Sequence, residues 1–419
     1  MTTHPPLAHH RAGRRAALPP AAGLWVVTAA FAILMAFATA PTPLWPLYQV
    51  RDHFGPTGVT IAFAAMVVGT AATFPTLGHL SDRIGRRTVV VPALLVGVVA
   101  AVVMAVWPGL TGLITGRVLT GVAVGLMAST ATAYIADLHR AAQPGRAGAP
   151  DPALISSAAN LGGLALGPLV AGALAEWVPA PLVTSYVVFA VAMGIAALVV
   201  LLTPETVLPR ATEQTRPVRF ALRPGARAAF AAASVVGFFA FGVMGLFSSL
   251  GAIIVRGELG ITGQFSIGLA PFTAFAASAL VQLALGRLAL SAQLTTGTVL
   301  FPVGLALTAL SLYQPALWLV LIAAGLSGGG AGLLFKGSVT LSATAAAPAS
   351  RAGVLAVFFV VAYLGMGLPS VAFSLVIQHA ALNATMIGFA TVLSVGTIAA
   401  VVTTLRKGWS RAGVGGEGI

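Results

Sequence analysis

Residues 78–107 read GHLSDRIGRRTVVVPALLVGVVAAVVMAVW. The opening stretch sets one acid, Asp82, among Arg83, Arg86 and Arg87; residues 88–107 then carry no charge. A helix needs about 20 apolar residues to cross ~30 Å of hydrocarbon. Residues 88–107 are therefore one membrane crossing, and the charged stretch before them is a loop. The whole chain follows this alternation. Its 419 residues are 58% hydrophobic and only 7% charged, with mean hydropathy +0.98. An ordinary soluble domain is about 25% charged. So few charges cannot cover a water-soluble protein of this length, which excludes a soluble enzyme and leaves an all-α polytopic membrane protein.

Twelve long apolar runs emerge on either side of that stretch: 22–47, 57–79, 88–107, 110–136, 153–175, 182–203, 228–255, 264–285, 293–312, 316–342, 352–377 and 384–405. They are too long and unbroken for barrel strands. Backbone groups in lipid must pair within the segment, so the runs are helices. Only two contain a charge, Arg117 in span 4 and Lys336 in span 10. The longest internal polar stretch, 204–227, divides the spans six and six. The expected layout is a basic tail (1–21), a six-helix bundle (22–203), a linker (204–227), a second six-helix bundle (228–405) and a short tail (406–419).

The net charge is +13, from 22 basic and 9 acidic residues. With the N-terminus inside, 18 of the basic residues fall on the cytoplasmic side, and only Arg51 and Arg256 fall outside. This is the positive-inside pattern of a multi-pass protein in a bacterial-type inner membrane, both termini cytoplasmic. The excess faces anionic lipid headgroups, so no nucleic-acid partner is needed. The tail and span 1 imitate a signal peptide, but the apolar run is too long for one. Removing it would invert the charge bias, so it is read as uncleaved. His9 and His10 belong to a solvated tail. There is no cysteine, which excludes disulfides, thiolate metal sites and iron–sulfur clusters. No phosphate-binding loop, metal constellation or nucleophile–base set is present, so neither a cofactor nor direct ATP drive is expected.

The halves echo each other. Leu119-Thr120-Gly121-x-x-x-Gly125-Leu126 in span 4 returns as Leu326-Ser327-Gly328-x-x-x-Gly332-Leu333 in span 10. Leu77-Gly78-His79-Leu80 after span 2 returns as Leu285-Gly286-Arg287-Leu288 after span 8, with Leu290 where Asp82 has its counterpart. Duplicated six-helix halves around a central cavity are a transporter architecture.

The loop Gly78-His79-Leu80-Ser81-Asp82-Arg83-Ile84-Gly85-Arg86-Arg87 resembles the signature loop of the major facilitator superfamily, G-x-L-x-D-R-x-G-R-R, at every fixed position. The resemblance implies a loop that locks the two bundles in the outward-facing state. Asp82, an anion among arginines, is placed to meet the positive N-terminal end of a helix from the other half, and span 11, beginning after Arg351, is its expected partner. Arg86 is expected to pair with Asp137 at the end of span 4.

Arg117 shares one helix face with Gly121 and Gly125. A charge inside a span costs at least ~2.5–3.5 kcal/mol and marks function by default. The pattern is similar to the span-4 motif of proton-coupled branches of the superfamily, where the Arg is implicated in proton transfer. The other reading is snorkelling to the outer surface. In span 5, Gly163, Gly167, Pro168 and Gly172 resemble the antiporter motif G-x-x-x-G-P-x-x-G-G, with Ala171 departing from it; that resemblance implies drug/proton exchange. Span 1 ends Pro41-Thr42-Pro43-Leu44-Trp45-Pro46-Leu47-Tyr48. The prolines distort the helix there; the Pro-Leu-x-Pro string resembles the span-1 motif of twelve-span drug exporters, and Trp45 and Tyr48 read equally well as interface anchors. Lys336 reads as snorkelling.

No Asp or Glu lies within a span. The candidate proton carriers are peripheral: Asp52, His53 and Glu176. Candidate cavity-lining aromatics are Phe37, Phe238, Phe241, Phe272, Phe358 and Tyr363, and they favour a hydrophobic or amphipathic solute. Together these features are expected of a monomeric, alternating-access transporter that exports a small hydrophobic or cationic molecule in exchange for protons. A facilitator or importer of a small metabolite is the alternative, and a membrane-embedded sensor is the alternative of another class.

Overall fold

The computed structural model describes residues 18–77, 80–107, 109–142, 151–207 and 220–412. Gly78, most of the two tails, His9 and His10, and the middle of the linker lie outside the described residues. Among the described residues, twelve helices are long and apolar enough to cross a membrane: Pro20–Asp52, Pro56–Phe74, Arg86–Val106, Leu110–Ala142, Pro152–Trp177, Pro181–Val200, Arg227–Ser249, Gln264–Leu285, Leu290–Leu310, Leu317–Ala345, Pro348–Val376 and Leu382–Leu405. They keep the span numbers 1–12.

Local chemistry sets the helix ends. Pro20, Pro152 and Pro181 open their helices where the missing N–H is no loss. The Asp151 side chain accepts the Ala153 N–H at 2.9 Å and caps span 5. Many span hydroxyls bond their own helix carbonyls, as Thr28 does to Leu24 at 2.7 Å, which satisfies them inside the helix. Span 1 is broken. Its first helix ends at Thr39, a short turn covers Thr42–Leu44, and a second helix runs Trp45–Asp52. Pro41 and Pro43 supply no N–H at this point, so the ladder cannot continue.

Packing follows the duplication. Span 4 lies on spans 2 and 3, and span 10 on spans 8 and 9. Span 5 lies on span 1, and span 11 on span 7. The echoed glycines do the same work in both halves: Gly121 sits against the span 2 backbone at Met66, and Gly328 against the span 8 backbone at Ala274. The most extensive joints between the bundles are span 2 with span 11 and span 5 with span 8.

The linker is tied at both described ends. Glu205 and Thr206 bond into the first bundle. Leu222 bridges Ala346 antiparallel, and the Arg223 N–H donates to Ala345 O at 2.9 Å. The stretch just before span 7 is thus a brace on the loop between spans 10 and 11 rather than a free strap.

Candidate functional site

The signature loop sits at the end of the molecule that carries most of the described arginines, called the basic end below. Gly85 has φ +109°, a conformation glycine adopts freely and other residues do not. There the Glu205 carboxylate accepts the backbone N–H groups of Arg86 at 2.8 Å and Arg87 at 3.0 Å, the first of span 3. A Cβ on Gly85 would fall 2.5 Å from Glu205 Oε2. Glu205 therefore caps span 3 from the end of span 6, and Gly85 makes room for it. Arg87 donates to Leu201 O and Thr203 O at that same end. Arg86 Nε donates to Asp137 Oδ2 at 3.3 Å, the pair expected from the sequence. Asp137 also receives Arg140 and the Thr206 hydroxyl.

Asp82 departs from its expected place. Its side chain is 61% exposed and ion-paired with Arg86; among the described residues Arg351 and span 11 are not its partners. Arg83 is exposed. Span 2 meets span 11 on this side through Phe74 and Phe359 instead.

Arg117 does not snorkel. It is 1% exposed, enclosed by spans 1, 2 and 4. One terminal nitrogen donates to Ala38 O at 2.8 Å and the other to Met66 Sδ at 2.9 Å. The guanidinium lies 5.7 Å from the Trp45 ring centroid and 6.0 Å from that of Phe63, while Nε has no partner. Among the described residues it has no carboxylate partner. Ala38 belongs to the last turn before the break in span 1, where carbonyls lack helical donors. A cation at this negative helix end and over ring faces is compensated without an acid. Gly121 and Gly125 share its face and pack on Met66 and Thr73 of span 2.

Trp45 and Tyr48 are not interface anchors; both are buried. The Tyr48 hydroxyl bonds that of Tyr186 at 2.9 Å. Trp45 Nε1 donates to Ser248 O of span 7 at 2.9 Å, joining the bundles at the end opposite the loop. The same end is held by Thr60 and Ser374, whose hydroxyls lie 2.7 Å apart. It is also held by Glu176 accepting the Phe265 N–H at 3.4 Å and by the Trp177–Phe265 ring contact. In span 5, Gly163 and Gly167 face span 1 at Ala32 and Ala36, while Gly172 and the Pro168 carbonyl face span 8 at Gln264 and Gly268.

Toward the basic end the two seams differ. Between spans 2 and 11, Phe74 stacks on Phe359 with centroids 5.2 Å apart and touches Tyr363 at 5.7 Å. Phe241 joins Phe335 at 4.5 Å and Tyr363 at 5.5 Å. Phe335 returns to Phe359 at 6.1 Å, closing a circuit of five rings drawn from both bundles. On the other seam, spans 1, 5 and 8 leave an apolar cleft of about 420 Å³ lined by Trp25, Thr28, Leu154, Ile155, Ala158 and Leu283. Phe37 is not a lining residue. It is fully buried against Phe189 inside the first bundle, because its turn of span 1 faces span 6. Phe358 is also fully buried; Phe238 and Phe272 are half-buried. Lys336 turns to the end of span 8, where its Nζ lies against Gly286. Asp52 pairs with Arg51 at 2.7 Å.

Sequence reasoning missed two residues. Glu205 opens the polar stretch 204–227, and its one cue in the sequence is a lone acid directly after span 6. Trp45 carried no cue for its cross-bundle bond. Among the described residues no three His, Asp or Glu side chains gather as a metal site.

Comparison with known proteins agrees with this geometry. A family model described as Major Facilitator Superfamily matches residues 26–368. The chain is 38% identical over 90 residues to the tetracycline resistance protein, class C, of Escherichia coli, covering 22% of this chain and 21% of that protein. It is 37% identical over 123 residues to a triacylglyceride transporter of Mycobacteroides abscessus, covering 28% and 22%. These matches thus span about a fifth of each relative's length. The crystal structure of the human organic anion transporter MFSD10 (TETRAN) superposes with TM-score 0.66 at 16% identity, over 91% of this chain and 100% of that one.

Proposed function

Because the chain belongs to the Major Facilitator Superfamily and is a multi-pass membrane transporter of small molecules rather than an enzyme, we propose that it exports a small hydrophobic compound by alternating access in exchange for protons. The arginine distribution supports placing the basic end and both termini in the cytoplasm of a cell whose inner membrane holds the protein. On that placing, the end joined by Trp45–Ser248 and Thr60–Ser374 faces outside, and the cleft of spans 1, 5 and 8 faces the cytoplasm.

The observation that carries the substrate class is the five-ring circuit of Phe74, Phe241, Phe335, Phe359 and Tyr363. It draws on both bundles, so rocking them remakes its contacts. No carboxylate stands beside it among the described residues, which favours a hydrophobic solute over a cation. The span 5 pattern and the tetracycline resistance relative support export with proton exchange. The candidate proton carriers are then the groups at the span ends, Asp52, His53 and Glu176, because no described acid lies deeper. Gly85, Arg86, Arg87, Asp82, Asp137 and Glu205 form the gate on the cytoplasmic side.

The test is flux of hydrophobic candidates in proteoliposomes under an imposed pH gradient, guided by a resistance screen of an overexpressing strain. Substrate-dependent proton movement is the expected result. Flux that ignores the gradient would favour the facilitator reading.

A further inference from the structure

Arg117 and Trp45 form a continuous chain between the first bundle's interior and the second bundle. The chain starts at the break in span 1, where the first helix ends and its last carbonyls lack helical donors. Arg117 takes one of them, Ala38 O, at 2.8 Å. The same guanidinium lies over the Trp45 ring, the first residue after the break. That indole then donates to Ser248 O, the penultimate residue of span 7. Arg117 thus grips both sides of the break, and the segment it steadies carries the donor that crosses to the other bundle. A buried charge without a carboxylate partner needs a reason to persist; holding the broken helix in one shape is such a reason.

We propose that Arg117 is a positioning residue for the outer gate: it aims the Trp45 indole at Ser248 and so sets how readily the molecule opens on the side opposite the signature loop. This goes beyond the export reading, since it requires neither a particular substrate nor protons. A proton relay at Arg117 would leave the Trp45–Ser248 bond indifferent to the guanidinium.

The chain contains no cysteine, so single thiols report accessibility without background. Ala252→Cys places one at a fully buried position in Gly251–Gly257, the helix that continues span 7 and rests against Trp45–Asp52. Ala158→Cys places the other in the cleft at the basic end. Trp45→Phe deletes the donor and keeps a smaller aromatic ring for Arg117. Arg117→Lys keeps the charge and removes the two-pronged grip. Each variant is expected to speed maleimide labelling at position 252 by about five- to tenfold, the effect of losing one hydrogen bond across a gate, and to slow it at position 158. Combined, they should label no faster than the faster single variant, because one acts through the other. Labelling that rises at both positions, an unchanged rate at 252 in Arg117→Lys, or effects that multiply would overturn the proposal.

Discussion

Glu205 Oε1 accepts the backbone N–H of Arg86 at 2.8 Å, across 119 residues of sequence. This one contact ties the end of span 6 to the start of span 3 and explains why the loop needs glycine at position 85. Its positive φ disfavours a side chain, and the Glu205 carboxylate fills the space a Cβ would take. Gly85→Ala and Glu205→Ala should each lower stability by about 1–2 kcal/mol, the range of a lost helix cap. The double variant should lose little more than either alone, by thermal unfolding in detergent. Additive losses would mean the two residues act separately.

Asp82 and Asp137 should behave differently. Asp82 is exposed and paired only with Arg86 among the described residues, so Asp82→Asn should change stability by less than about 0.5 kcal/mol. If it gates, transport still slows. Asp137 gathers Arg86, Arg140 and Thr206 at a site only 17% exposed, so Asp137→Asn should cost about 1–2 kcal/mol. An unaltered transport rate in a well-folded Asp82→Asn protein would remove Asp82 from the gate.

The echoed glycines make a paired prediction. A Cβ on Gly121 would strike the Met66 carbonyl, and one on Gly328 the Ala274 carbonyl. Gly121→Val and Gly328→Val should both cut the yield of folded protein, whereas Gly162→Ala, with open space around it, should not. Comparing monodisperse yield after purification checks this.

The ring circuit predicts a graded series for hydrophobic substrates. Tyr363→Phe keeps the ring and should hold affinity within about twofold. Tyr363→Ala and Phe359→Ala should each weaken binding by about 0.5–1.5 kcal/mol, the worth of an aromatic pair. Equal losses from Tyr363→Phe and Tyr363→Ala would point to the hydroxyl instead.

Orientation can be read with single thiols. Arg83→Cys should resist an impermeant maleimide in intact cells, and Glu258→Cys should react. The reverse pattern would invert the proposed topology.

Much of the site was legible because its cues are local. The lone acid among arginines, the acid at the end of span 4 and the Gly-spaced face around Arg117 all follow from residue type and helical spacing, and the Arg86–Asp137 pair at 3.3 Å joins the two positions those cues named. Glu205 and Trp45 were not legible as contacts, because their partners are backbone groups and a backbone acceptor leaves no trace in a sequence. Phe37 was misplaced for a related reason: every face of its helix is apolar, so periodicity does not tell cavity from core.

The amino-acid order alone established the twelve long apolar helices, since hydrocarbon imposes one length on every segment. Which seam is sealed, why Arg117 stays buried without an acid, and where Trp45 hands its hydrogen bond to the other half were decided only in three dimensions. These depend on carbonyls and ring faces brought together from distant spans, and the energies that set them belong to packing between helices rather than to any one of them.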